Sequence, residues 1–141
     1  MKDPERRVAL RMPIDQAVSV VVRTLRDHGF TILGAVEVAS EVVTGPYRGR
    51  YAIVSAVHPA STRKALRVDP DLGALFVCPL GLQPIGDRGT VVVAPDLLSP
   101  LAALGAWCGA WPEAIEAAAD FRDRVAAVLH DLRRRERAAA A

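Results

Sequence analysis

The sequence predicts an α+β fold: a curved antiparallel sheet of about four to six strands with two long helices packed on one face. Three observations carry this. Two segments, 13–28 and 112–135, repeat apolar residues at helical spacing. Several β-branched runs lie between them with one short helical stretch, giving the order strand, helix, strand, strand, short helix, strand, strand, helix. Helices kept apart from consecutive strands in this way pack on one side of an antiparallel sheet.

The elements follow in order. Residues 6–12 alternate, which predicts a first strand with Val8, Leu10 and Met12 facing inward. Pro13 suits a first helical position, where its missing N–H costs nothing. Ile14, Ala17, Val18, Val21, Val22 and Leu25 then mark a buried stripe, and Gly29 supplies the left-handed stop. Residues 30–43 read as a second strand region containing Gly34, and Gly45-Pro46-Tyr47-Arg48-Gly49 as a turn. The run from Tyr51 to Val57 is mostly apolar and is expected to be a central strand. Pro59 opens a short helix with His58 at its cap, ending by Asp69-Pro70. The strand from Leu75 to Leu82 is expected to be kinked or at an edge, because it contains Pro79 and Gly81. Gly86-Asp87-Arg88-Gly89 turns into a fifth strand, Thr90 to Ala94. Residues 96–111 read as a short helix plus loop. In the last helix, Ile115, Ala118, Phe121, Val125, Val128, Leu129 and Leu132 form the buried stripe. Glu116, Asp120, Arg122, Asp123, Arg124 and Asp131 form its wet face.

Composition narrows the class. The chain has 141 residues, 51% of them hydrophobic and 24% charged, with a net charge of +2. That fits one domain, 1–141, with an ordered core over 6–135 and tails at 1–5 and 138–141. It excludes a disordered chain. Two cysteines, Cys78 and Cys108, are too few for a disulfide scaffold and fit a reducing compartment. Neither a signal peptide nor a membrane span is evident, so a cytoplasmic location is expected. The basic cluster Arg133, Arg134, Arg135 and Arg137 contains no aromatics. It reads as a solvated helix end that complements the helix dipole, and no nucleic-acid partner is expected.

Several short motifs together resemble one family. They are Leu25-Arg26-Asp27-His28-Gly29-Phe30-Thr31-Ile32-Leu33, the strand and helix from Tyr51 to Leu66, Pro70 to Pro79, and Asp87-Arg88-Gly89-Thr90-Val91. In this order they resemble the domain of unknown function 302 family over roughly residues 6–135. The resemblance implies a TATA-binding-protein-like α+β fold, often a homodimer, and no established activity. The chain departs from the family in two places. Cys78 precedes Pro79, where members often place a cysteine just after that proline, and a one-residue shift turns a strand side chain to the other face. The 96–112 connection is also longer and more apolar.

The chemistry-bearing residues are few. His58 joins a buried strand to a helix N-terminus, where free N–H groups favour an anion. Arg50 and Arg63 are near it in sequence. The plainer role for His58 is that of a helix cap. Cys78 reads as a reactive thiol served by His58, as a soft metal ligand, or as a small core residue. Trp107 and Trp111, with Leu97, Leu98, Leu101 and Leu104, must cover this domain's own core, a dimer interface or an apolar pocket. No metal-ligand spacing, phosphate loop or nucleophile elbow is present, and no cofactor is expected.

The reading is a non-enzymatic binding domain, a homodimer, taking a small anionic or apolar ligand at His58, Cys78, Arg50, Trp107 and Trp111. The alternative is a small enzyme or redox-linked protein using Cys78 with His58.

Overall fold

The computed structural model describes residues 4–38, 49–97 and 112–140. Five strands form one antiparallel sheet: β1 (Arg7–Leu10), β2 (Thr31–Glu37), β3 (Ala52–Val57), β4 (Cys78–Ile85) and β5 (Gly89–Val93). Their spatial order is β1-β5-β4-β3-β2. Strands β2 to β5 are a meander, and β1 returns to the far edge beside β5. Among the described residues, three α-helices accompany them: α1 (Ile14–Asp27), α2 (Pro59–Val68) and α3 (Pro112–Ala140). A 3-10 turn, Pro70–Leu75, leads from α2 into β4. The α+β class with helices on one face is as the periodicity predicts.

Alternation decides which face is covered. In β3, Ala52, Val54 and Ala56 are buried, and in β4 Cys78, Leu80 and Leu82. Val8, Leu10 and Val92 extend the buried face to the β1 edge. Because α1 joins β1 to β2, the strands at opposite edges, it must cross the sheet, and it contacts β2, β3, β4 and β5. Its Ala17, Val21 and Leu25 are fully buried there. The α3 helix packs beside it through Phe121, Val125, Val128 and Leu132. The rings of Phe121 and Phe76 stack with centroids 5.6 Å apart, a contact that contributes about 1 kcal/mol beyond the area it buries.

Some expectations are corrected. Pro13 caps α1 one residue before its first helical turn, with its carbonyl accepting from Ala17 N–H at 2.9 Å. Strand β4 is the central strand of the sheet, despite Pro79 and Pro84. Each proline lies where β4 has one paired neighbour. Pro79 pairs with Ser55 of β3 ahead of the first β5 pair, Gly81 with Val93. Pro84 pairs with Thr90 of β5 beyond the last β3 pair, Leu82 with Ala52. A missing N–H there spares the doubly flanked middle, so the usual argument against proline in a central strand does not apply. Gly81 sits in that middle because the Tyr51 ring lies over it, and a Cβ would collide with the phenol.

In β2, the pairing with β3 shifts between Ile32 and Gly34, leaving Leu33 as a bulge that is 58% exposed. In α3, Ala114 and Ala117 take the buried positions while Ile115 faces outward. Of the α3 arginines, Arg134 and Arg137 are exposed as a solvated end requires, but Arg133 and Arg135 are not. Arg133 donates to the carbonyls of Pro4, Glu5 and Arg7, and Glu136 accepts from Arg11. The predicted turn at 45–49 and the helix plus loop at 96–111 fall largely outside the described residues.

Candidate functional site

The polar chemistry concentrates where the α1 C-terminus, the α2 N-terminus and α3 meet. Strand β3 ends at Val57, and Pro59 fixes the first turn of α2, so His58 is held extended between them at φ −100° and ψ 110°. It is 7% exposed. Its ring meets Phe30 edge-on at 5.2 Å. Nδ1 lies 3.2 Å from Ser61 Oγ and 3.4 Å from the Ser61 N–H, while Nε2 lies 3.3 Å from Arg124 Nη1.

Chemistry assigns the tautomer. A guanidinium has no lone pair, so Nε2 must accept from Arg124, and a neutral imidazole then carries its proton on Nδ1. That proton is donated to Ser61 Oγ, and a protonated Nδ1 cannot also accept from the Ser61 N–H that lies 3.4 Å away. Burial pushes the His58 pKa below its ordinary value. Arg124 and Lys64 push the same way and Asp120 opposes them. Arg124 is itself held by Asp120, its Nε donating at 2.9 Å, and Lys64 of α2 lies 3.9 Å from the same carboxylate. His58 therefore stands neutral at the N-cap position of α2 and is latched to α3 through Arg124.

Two turns further along α3, Asp131 faces the end of α1. Here Gly29 takes φ +80°, and the helix closes through N–H bonds from His28, Gly29 and Phe30 to its last carbonyls. That closure turns His28 toward α3, where its Nε2 lies 2.9 Å from Asp131 Oδ2. Asp131 is 6% exposed and also accepts from Arg134 at 2.7 Å and Arg135 at 3.1 Å. Arg135 spans to Asp27 of α1 at 2.7 Å. Arg134, His28 and Arg135 together hold the Asp131 carboxyl far below the usual carboxylate range. The periodicity places Asp131 on the wet face; it lies instead inside the seam. Its spacing carried the signal, since it falls three residues after the buried Val128.

The sequence-derived candidates separate in space. Cys78 pairs with Ala56, two residues before His58, so both lie at one end of the sheet on its covered face. The thiol is fully buried, and burial pushes it up to about 12. Nothing lowers it, so it presents no thiolate near neutral pH. Arg50 lies at the other end of β3. Its guanidinium meets both Asp15 oxygens at 2.6 and 3.0 Å and Glu37 at 2.6 Å. The two carboxyls are held below their ordinary values and Arg50 is raised, each by the others. This exposed clamp joins α1, β2 and the start of β3. Trp107 and Trp111 lie outside the described residues.

A cavity of about 510 Å³ opens elsewhere, between α3, the end of β5 and the N-terminal turn. Ala94, Pro95, Leu97, Val125, Ala126 and Leu129 form its apolar wall. Glu5, Arg6, Asp96, Arg122 and Asp123 form its charged rim. Sequence reasoning missed it because its wall joins residues some 30 positions apart, and each looks like ordinary packing. Among the described residues, no group of three or more His, Cys, Asp or Glu is placed to hold a metal ion.

Comparison with known proteins returns one family and one fold. The family model described as domain of unknown function DUF302 matches residues 6–132. The crystal structure of an uncharacterized conserved protein DUF302 from Bacillus stearothermophilus is similar at a TM-score of 0.64 and 18% identity, covering 88% of this chain and 94% of that one. No curated protein matches.

Proposed function

The chain belongs to the DUF302 family of domains of unknown function, and from that premise we propose that it is a non-enzymatic, cytoplasmic binding domain. It acts as a homodimer and holds a small ligand against α3. The cavity of about 510 Å³ carries this reading. It lies within the roughly 300–1,000 Å³ that small-molecule sites occupy. An apolar wall under a rim of both charges suits an amphipathic molecule, with an apolar body and a polar end.

The site thereby moves from His58, Cys78 and Arg50, none of which lines the cavity, to Val125, Ala126 and Leu129. Trp107 and Trp111 stay in the proposal as apolar walls on the sequence argument alone. A buried, unactivated Cys78 and a His58 already bonded at both nitrogens support binding over catalysis. The cytoplasmic assignment rests on the sequence. Among the described residues no helix is long and apolar enough to cross a membrane.

The test is native mass spectrometry of the protein as purified, together with the Ala126→Trp variant. Ala126 is exposed on α3, so an indole there fills the cavity without disturbing the core. The expected result is a dimer mass carrying an extra small-molecule mass that Ala126→Trp loses. A wild-type protein carrying nothing, and taking up no amphipathic probe at about 1 mM, overturns the ligand reading.

A further inference from the structure

Two histidines meet α3 with opposite needs for a proton. Arg124 and Asp131, their partners, lie about two turns apart on that helix. At Asp131, His28 Nε2 meets a carboxylate at 2.9 Å, and a proton on that imidazole makes an ion pair. At Arg124, His58 Nε2 meets a guanidinium at 3.3 Å, which has only N–H groups to offer. A proton on this nitrogen sets two donors and two positive charges face to face, because Nδ1 already donates to Ser61 Oγ. Lys64 of α2 also opposes the proton. Asp120 of α3 favours it, but that carboxylate is engaged by Arg124 and Lys64. The end of α1 brings Gly29 and Phe30 against the ring, neither of them charged, and Cys78 of β4 stays a neutral thiol.

The latch matters because α2 has little else to hold it. Of its ten residues only Ser61 and Ala65 are buried, both small, and it packs on α3 and the 3-10 turn Pro70–Leu75. Behind the His58 ring stand all three phenylalanines of the chain, each buried. Phe30 meets His58 edge-on at 5.2 Å, Phe121 lies 6.2 Å from Phe30, and Phe76 lies 5.6 Å from Phe121.

We propose that α2 is an acid-released flap: a proton on His58 frees its N-terminal end from α3 and uncovers the phenylalanine rings, while His28 and Asp131 keep α1 and α3 joined. Such local openings belong to the weakly anchored parts of a fold. This one takes up one proton. Its opening constant therefore grows up to about tenfold per pH unit below about 6.5, the value of a free imidazole, until the docked ring itself protonates. Asp120, held below its ordinary value, keeps its charge in that window.

Amide exchange of the full chain, resolved by residue and corrected for the intrinsic effect of pH, tests this between about pH 7 and pH 4.5. The Thr62 and Asp69 N–H groups bond at the two ends of α2. They are expected to lose protection by up to about tenfold per unit relative to the amides of α1. His58→Asn keeps a capping residue and removes the imidazole, so α2 protection is expected to become independent of pH. Arg124→Gln keeps the imidazole and offers an amide that donates to the neutral ring and, turned over, accepts from the protonated one. It is expected to flatten the loss, and Arg124 is exposed enough that this variant folds even if His58→Asn does not. Wild-type α2 amides that change in step with those of α1, whether both hold or both fail, overturn the inference. So does an acid loss that stays as steep in either folded variant.

Discussion

Replacing Asp131 with asparagine tests the seam between α1 and α3. The side chain keeps its shape and loses its charge. Wild-type Asp131 accepts from His28, Arg134 and Arg135, and an amide can satisfy such donors with one oxygen only. Arg134 is largely exposed, so its bond counts for little. The bonds to His28 and Arg135 are the ones lost from a buried position, at about 1–1.5 kcal/mol each. The expected cost at pH 7 is thus about 2–3 kcal/mol. At roughly 2.1 cal/mol/K per residue, unfolding entropy for this length is about 300 cal/mol/K, so Tm falls by about 7–10 °C. Calorimetry reads this directly. The pH dependence gives a second reading. The carboxyl titrates lower in the folded than in the unfolded chain, so its contribution is complete above the unfolded value near 4. It is lost as pH falls toward the folded value. The gap between wild type and variant therefore narrows progressively as pH falls below about 4. A variant within about 0.5 kcal/mol of wild type at pH 7, or a gap that stays constant on acidification, refutes the account of the seam.

Two further outcomes follow from the same geometry. His58 titrates below its ordinary value, so the neutral form is the one the fold prefers. Its contribution is complete above the unfolded value of about 6.5 and is lost as pH falls from there toward the folded midpoint. A histidine ring resonance assigned to His58 should show that lowered midpoint, and a midpoint at or above 6.5 contradicts the latch to Arg124. Gly81→Ala drives a methyl into the Tyr51 phenol and is expected to destabilise by about 1–3 kcal/mol, with Tyr51→Ala recovering part of the loss in the double variant. Equal losses in the presence and absence of the Tyr51 ring exclude that contact as the cause.

Element type and order were legible because alternation and helical spacing are written in single side chains. Val8 and Leu10 turn inward as their spacing demands, and so do Ala17, Val21 and Leu25. Strand placement was less legible. Pro79 argues for an edge by its missing donor, but what matters is which neighbours reach it, and that stagger is set by two other strands. Polar placement was least legible. Asp131, Asp120 and Arg124 look like a wet helix face, since a charged residue reads as exposed whether or not a partner waits for it. Those partners, His28 and His58, come from more than 60 residues away. Arg133 and Arg135 misled for the same reason. Arg133 finds its carbonyls at the opposite end of the chain.

The stagger around β4 has a mechanical consequence. Strand β3 is paired to β4 from Cys78 to Leu82, and β5 from Gly81 to Ile85. Only Gly81 and Leu82 are flanked on both sides. The sheet is therefore two three-stranded plates that share β4 and overlap over two residues. Torsion between the plates concentrates at that overlap, where Gly81 lacks a side chain to stiffen it and the Tyr51 ring rests across the joint like a splint.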